Sequence, residues 1–441
     1  MPNDRGVATS PRTSWVETLG CPKNQVDSDK LSGLLAAEGY ERAASPQDAD
    51  LIVVNTCAFI EAARAESVET VLALSDLKAD GARLVVTGCM AERYGDELSA
   101  ALPEADLVAG FGVPVSLGRK PGAVDARPLP SFDLLNLPRP AVSAPWAYVK
   151  IAEGCDRSCG FCAIPSFRGP QRSRSKEAIL GEVKALVAGG VKEIVLVAQD
   201  LASYGRDRKG AGRPPEVLSG DQPIVDLVRA VAERSPWTRL LYLYPSDLSD
   251  GLIDVIGTST GVPYFDLSLQ HVAKPLLRRM RRWGDGARFA DRIAAIRDRF
   301  PDAAFRSSFI VGYPGETEAD HDALLSFIAE QRLDWVGLFA YSAEDGTHAA
   351  RLDDAVDPDV MAQRLSEAQA LADDVTSVAR TERIGDVVEV LVDEPGTARS
   401  SREAPEIDGV VKVPGTLAVG TFAKVEIVGV EGPDLHAVEA T

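Results

Sequence analysis

Cysteine and histidine are scarce, six and four in 441 residues. So few cysteines at this length argue against a disulfide-stapled secreted fold. Sparse thiols in a reducing compartment more often bind metal or do chemistry. No run of about 18 or more uncharged apolar residues occurs, so no membrane-spanning helix is expected. The opening MPNDRGVATSPRTS has no apolar core, so no secretory signal is expected, and 1–13 reads as a disordered N-terminus. Positive charge is also in deficit: 47 Lys and Arg face 66 Asp and Glu, a formal net charge of −19. That argues against a partner that is mainly phosphate backbone and suits a basic protein partner. With 45% hydrophobic and 26% charged residues, the chain has a globular composition, and its length suits two or three domains. No internal repeat or low-complexity tract is apparent.

The cysteines fall into two groups of three. Cys21, Cys57 and Cys89 are 36 and 32 residues apart. Each ends a short apolar run (WVETLGC, LIVVNTC, RLVVTGC), and helix-like stretches such as SDKLSGLLAAEG and FIEAARAESVETVLAL follow the first two. This is the period of a βαβ unit. Right-handed crossovers make such strands parallel neighbours, so the three thiols should converge at one sheet edge. Residues 114–145 are proline-rich and aperiodic and read as a linker. From 146 onward the strand candidates are AYVKIAEG, EIVLVAQD, RLLYLYP, YFDLSLQ, AFRSSFIVG and WVGLFAYS, with helical segments between them. Six βα units in a row suggest a partial (β/α)6 barrel with chemistry at its C-terminal mouth. After a long helix around 357–380, VVEVLVDE, DGVVKVPG and FAKVEIVGV suggest a small antiparallel β-barrel. The fold class is therefore α/β. Its predicted domains are a parallel α/β sheet domain over 14–113, the partial barrel over 146–375 and the β-barrel over 376–441.

The strongest chemical signal is Cys155, Cys159 and Cys162 in EGCDRSCGFCAIPSFRG, a C-x3-C-x2-C loop directly after the first barrel strand. Three thiolates on one tight loop can hold three irons of a four-iron, four-sulfur cluster and leave the fourth open to a small molecule. Phe161 would shield such a cluster. A zinc site normally takes four Cys or His ligands, and the nearest histidine is His271. The loop resembles the radical S-adenosylmethionine (SAM) superfamily. That resemblance implies one-electron reduction of bound SAM to a 5′-deoxyadenosyl radical, with the protein orienting the cofactor and excluding water. A lone cysteine after a buried strand is more often a small core residue. Three at equivalent strand ends point instead to a second three-thiolate cluster, whose open iron could carry a sulfur species.

The segments TLGCPKNQVDSD, VNTCAFIEAARAES, TGCMAERYGDEL and EGCDRSCGFCAIPSFRGPQRSRS together resemble the methylthiotransferase family, over most of the chain. The resemblance implies two [4Fe-4S] clusters, SAM in two roles and insertion of a methylthio group at an unactivated C–H bond. It also implies a TRAM-type C-terminal barrel. CPKNQVDSD, DLSLQHVAKPLLRRMRR and SREAPEIDG look like the ribosomal branch, which acts on an aspartate of ribosomal protein S12. The other branch modifies adenosine in tRNA. Residues 376–441 carry 6 Lys and Arg against 12 Asp and Glu, a net of −6, which suits a basic ribosomal protein better than RNA. The alternatives are the tRNA activity and a non-enzymatic zinc or iron–sulfur RNA-binding protein.

The resemblance further implies that Gln199 and Asp200 stand where SAM's methionine part binds, although no Gly-Gly-Glu is present. Gln270 is expected to reach SAM or substrate. Gly312, Pro314 and Gly315 resemble an adenine-binding segment or an ordinary strand-to-helix turn, with Glu316 capping the next helix. Arg168, Arg172 and Arg174 could pair with carboxylates of SAM or of the target aspartate, or be surface charge. His271 is a substrate candidate or a satisfied structural histidine. Arg278, Arg279, Arg281 and Arg282 form a basic patch suited to an acidic partner or rRNA. Also expected are S12 or the small ribosomal subunit as partner, a one-electron donor such as flavodoxin or ferredoxin, a cytoplasmic location and a monomer.

Overall fold

A computed structural model describes residues 12–111, 137, 139–208 and 222–440. Most of the predicted linker 114–145 and of the predicted N-terminal tail lies outside the described residues. The chain divides into two compact units, Met1–Pro140 with Ser166–Arg168, and Ala141–Pro165 with Gly169–Thr441.

The first unit is built on strands β1 (Arg12–Thr18), β2 (Tyr40–Arg42), β3 (Leu51–Thr56), β4 (Arg83–Gly88) and β5 (Leu107–Ala109). They form one parallel sheet in the order β2-β1-β3-β4-β5. β3 is buried along its whole length, as expected for a central parallel strand with a continuous apolar sequence. Helices Pro22–Ala37, Glu61–Leu77 and Cys89–Ala101 follow β1, β3 and β4. The first begins with Pro22 in its opening turn, where a missing N–H costs nothing. Leu31 and Leu35 of this helix pack on Leu51, Val53 and Val85 of the sheet.

The second unit carries β6 (Trp146–Lys150), β7 (Ala152–Glu153), β8 (Arg172–Ser173), β9 (Glu193–Val197), β10 (Trp237–Leu240), β11 (Tyr264–Gln270), β12 (Ala304–Val311) and β13 (Trp335–Ala340). Strands β6-β9-β10 and β11-β12-β13 form two parallel sheets, joined by a parallel bridge between Leu243 and Leu267. The six-unit half-barrel read from the sequence is therefore present. Its first strand is shorter than predicted, because Ala152–Glu153 turns away to pair antiparallel with Arg172–Ser173. Its third strand stops at Leu240, where Tyr242 takes a left-handed φ of 66° that interrupts extended pairing.

Strands β14 (Val387–Glu394), β15 (Thr397–Ser400), β16 (Val411–Lys412), β17 (Phe422–Glu431) and β18 (Asp434–Glu439) close a small barrel in the order β14-β15-β16-β18-β17. It is not wholly antiparallel as expected, since β16 pairs parallel with β18. Helix Pro358–Thr381 precedes it, capped by Asp357, which accepts from the amides of Asp359 and Val360.

This barrel is fastened to the half-barrel by buried ions. Glu193 of β9 accepts from Arg239 of β10 and from Arg399 of β15, each at 2.6 Å. Burial opposes ionisation of Glu193, but the two guanidinium groups outweigh it and hold the carboxyl below its ordinary value. Asp408 likewise accepts from the Tyr264 hydroxyl at 2.6 Å and from Arg306 at 2.9 Å. Removing one member of a buried ion set leaves an uncompensated charge and costs about 3–5 kcal/mol. Urea unfolding of Glu193→Ala should show a loss of that size. Arg292→Ala, which breaks an exposed pair with Asp250, should change stability by less than about 1 kcal/mol.

His271, just past β11, is fully buried and accepts the Ala273 amide on Nδ1 at 3.1 Å. Burial lowers its pKa to about 4, so it is neutral in the folded chain near pH 7. The unfolded imidazole binds a proton near pH 6.5. The unfolded state therefore takes up more protons between the two values. The associated stability is fully present above about pH 6.5 and is lost as pH falls toward 4. Urea titrations of the metal-free chain should show a fall of about 2 kcal/mol from pH 7 to pH 5 that His271→Gln lacks.

Candidate metal centres

In the first unit, β1, β3 and β4 lie side by side in register: Thr18 faces Asn55, Asn55 faces Thr87 and Thr56 faces Gly88. Cys57 and Cys89 directly follow the ends of β3 and β4, and Cys21 follows β1 after Leu19–Gly20. The thiols are close enough to influence one another. Burial pushes Cys57 up to about 12, with added repulsion from the Cys21 and Cys89 sulfurs. Burial also raises Cys89 despite the opposing Arg168. At Cys21 burial opposes ionisation, but Lys23, the Asn24 amide and Arg168 together bring the thiol below its ordinary value.

The backbone here is shaped around sulfur. Gly20 has φ +92°, and a Cβ on it would lie 2.7 Å from Cys57 Cβ and 2.8 Å from Cys57 Sγ. Only glycine lets the chain cross Cys57 this closely. The Asn24 amide ties two strand ends together, donating to the carbonyls of Leu19 at 2.9 Å and Thr56 at 3.1 Å. Its Oδ1 accepts from Arg168 at 2.7 Å. The same guanidinium pairs with Asp27 at 2.9 Å and donates to Cys89 Sγ at 3.0 Å. From the sequence, Arg168 was open to a SAM or substrate carboxylate or to surface charge; in the structure it is buried beside Cys89, Asp27 and Asn24.

In the second unit, the Cys155–Cys162 loop is pinned by backbone hydrogen bonds. The Cys155 amide donates to the Gly169 carbonyl at 3.1 Å, and the Gly160 amide donates to the Met280 carbonyl at 2.8 Å. Gly154, at φ +78°, has the Pro170 carbonyl oxygen 2.2 Å from where a Cβ would stand, so the loop closes only with glycine before its first cysteine. Burial raises Cys155 to about 11 and Cys162 to about 12. Two arginines flank the sulfurs. Arg157 stacks 3.5 Å over the Tyr244 ring and donates to Asp200 at 2.6 Å. Arg282 lies 4.1 Å over the same ring and donates to Cys159 Sγ at 3.4 Å. Neither role was read from the sequence: Arg282 was counted in a surface patch and Arg157 was not singled out, although it lies inside the C-x3-C spacing.

The remaining candidates divide by what holds them. Gln199 donates to Glu153 at 2.7 Å, and Glu153 pairs with the buried Lys150 at 2.8 Å. Gln199 Oε1 and Asp200 Oδ1 are buried without a hydrogen-bond partner. Phe161 is half-buried against the half-barrel core. Gln270 ends β11 with φ 72° and is half-buried. Arg172 sits on β8 opposite Glu153. Arg174 is neither surface charge nor free for substrate; it is buried, donating to the Lys150 carbonyl at 2.8 Å and pairing with Glu182 at 2.7 Å. At Gly312 the space a side chain would fill is taken by Met361, so packing accounts for this glycine. Glu316 does not cap the next helix. It accepts the amides of Gly312 and Tyr313, while Thr317 and Asp320 form the capping box. Of the basic patch, Arg279 pairs with Asp354 and Arg281 meets His348.

Both trios fit the chemistry of a cluster. All six cysteines are free. Among the described residues no three His, Cys, Asp or Glu side chains converge closely enough to hold one metal ion. Thiolates of a four-iron cluster each bind a different iron and stand around it instead. Beside the second loop, the orphaned acceptors of Gln199 and Asp200 suit a ligand that brings N–H donors, as the ammonium of an amino acid does.

The uncharacterized protein family UPF0004 matches residues 13–110, the Radical SAM superfamily residues 149–328 and the TRAM domain residues 384–439. The ribosomal protein uS12 methylthiotransferase RimO of Streptomyces coelicolor is 41% identical over 86% of this chain and 83% of its own length. The protein of that name from Moorella thermoacetica is 44% identical over 79% of this chain and 81% of its own. The one from Geobacter sulfurreducens is 42% identical over 80% of each. The solved radical S-adenosylmethionine methyltransferase TsrM of Kitasatospora setae is 14% identical with a TM-score of 0.47, over 75% of this chain and 73% of that one. Sequence identity of this extent, with all three domain matches in order, means that the chain belongs to the family of ribosomal protein uS12 methylthiotransferases RimO.

Proposed function

We propose that this chain inserts a methylthio group at the β-carbon of an aspartate in ribosomal protein uS12, forming 3-methylthioaspartate, with SAM and two [4Fe-4S] clusters as cofactors. The observation that carries this reading is the pair of three-thiol sites, one at the parallel strand ends of the first unit and one on the loop after β7. The domain limits we propose are 14–113, 146–375 and 376–441, with 114–145 as linker.

Cys155, Cys159 and Cys162 hold one cluster, and Cys21, Cys57 and Cys89 hold the other. When bound, these groups would supply one-electron chemistry toward SAM and a carrier for sulfur. The chain's own residues bind, orient and shield. Gln199 and Asp200 offer their open acceptors to the ammonium of SAM, and Glu153 fixes the Gln199 amide. Phe161 keeps water from the loop. Arg157 and Arg282, stacked on Tyr244, place positive charge against the thiolates. Gln270 and Arg172 face SAM or substrate. His271, neutral and enclosed, holds the turn after β11 through the Ala273 amide. No helix among the described residues is long and apolar enough to cross a membrane. A cytoplasmic monomer served by flavodoxin or ferredoxin completes the proposal.

Two measurements test it. After anaerobic reconstitution the chain should hold about eight irons, and the Cys155/Cys159/Cys162 triple alanine variant about four. Mass analysis of uS12 from a deletion strain should show loss of the methylthio group while tRNA nucleosides stay unchanged. Loss of a modified adenosine with uS12 unchanged in mass would assign the chain to tRNA instead.

A further inference from the structure

We propose that Arg168 is the counter-cation of the Cys21, Cys57 and Cys89 centre and sets both its hold on iron and its reduction potential. The proposal rests on the assignment of a cluster to these three cysteines. It concerns a residue that the cysteine pattern does not touch and that lies in sequence beyond the other trio.

Binding a cluster requires three thiolates in an interior where burial already disfavours their charge. Repulsion among them is strong at low dielectric, so a fixed cation is worth most there. Arg168 is that cation. Its side chain is 3% exposed and pairs with Asp27, itself 3% exposed. One guanidinium nitrogen reaches Cys89 Sγ at 3.0 Å and Asn24 Oδ1 at 2.7 Å. The Phe111 ring lies 4.1 Å from its central carbon, which keeps the group dry and adds cation–π attraction. Lysine could not replace it fully, because this geometry uses a planar fork with one arm on a carboxylate and the other on sulfur and amide together. Asn24 is held from its other end by two strand-end carbonyls, so the guanidinium is aimed by the same backbone that places the cysteines. Arg168 belongs to helix Ile164–Arg168, yet Ser166–Arg168 cluster with the first unit. The charge balance of this centre therefore depends on a segment coded next to the other cysteine loop.

The sign of the effect separates charge from mere packing. Reduction adds negative charge to the centre, so a nearby cation favours the reduced form and a nearby anion disfavours it. Removing Arg168 must lower the potential, and neutralising Asp27 must raise it. A loosened structure would not move the two in opposite directions.

The test uses the full chain carrying Cys155, Cys159 and Cys162→Ala, reconstituted anaerobically, with Arg168→Met, Arg168→Lys and Asp27→Asn added singly. Iron and sulfide are counted, iron affinity is read by chelator competition, and the potential by redox titration followed by electron paramagnetic resonance. The parent should hold about four irons. Arg168→Met should bind iron about 10- to 100-fold more weakly and shift the potential to more negative values. Arg168→Lys should restore most of the potential but not all of the affinity, and Asp27→Asn should shift the potential to more positive values. A parent that holds no iron would refute the cluster assignment and this proposal with it. A parent with four irons whose Arg168→Met derivative keeps the same affinity and potential would overturn the role of Arg168 alone. So would same-direction shifts in Arg168→Met and Asp27→Asn.

Discussion

Parallel pairing in register is the constraint on which the first site depends. Thr18, Asn55 and Thr87 stand side by side across β1, β3 and β4, so whatever follows each strand emerges at one edge. A shift of register in any one strand would carry its cysteine about 3.3 Å along the sheet for each residue, away from the other two. The register is secured where it matters most. Thr56 Oγ1 donates to the Thr87 carbonyl, Thr87 Oγ1 donates to the Ala109 carbonyl, and Asn55 donates to the Asn24 carbonyl and Ser28 hydroxyl. These buried polar side chains stitch successive strand ends together in place of the water that usually solvates them.

The six cysteines were legible because each obeys a local rule. Three close an apolar strand and three share one short loop, and both patterns survive without knowledge of contacts. Strands such as LIVVNT and VVEVLVDE were legible for the same reason. β15 and β18 were missed, because TARS and DLHAVE are too short or too polar to announce themselves and form only when the barrel closes on them. Arg168 and Arg174 sit close together in the chain yet serve different units, and nothing local distinguishes them. An arginine reports its role only through a partner: Asp27 is 141 residues away from Arg168. Gly312 carries the same lesson in a smaller space. Its sequence context suggests close approach by a ligand, whereas the neighbour it admits is Met361, from a helix that no local pattern connects to it.

The acidity of the chain sharpens the electrostatic problem. A net charge of −19 is compatible with docking a basic protein, but it does nothing to help gather thiolates. The molecule separates the two demands by depth. Exposed positions such as Asp250, Glu318 and Glu431 carry carboxylates, whose field is screened by salt. A subset of the arginines, Arg168, Arg239 and Arg399 among them, is buried, where charge acts strongly on fixed neighbours. Arg239 and Arg399 neutralise Glu193 under the small barrel, and Arg168, Arg157 and Arg282 are held at the sulfur sites.

The two sulfur sites differ in how that inner charge is held, and the difference follows from their surroundings. At the Cys155–Cys162 loop, Arg157 and Arg282 both stack on the Tyr244 ring and remain partly exposed, with Asp200 and the Ser268 carbonyl as anchors. At the strand edge of the first unit, the cation is enclosed and aimed directly at sulfur, with an aromatic lid and a buried carboxylate behind it. A centre meant to meet an exchangeable cofactor needs the first design. A centre meant to retain its metal while carrying a reactive sulfur is better served by the second, because a dry, fixed counter-charge stabilises the thiolates without offering water a path to them.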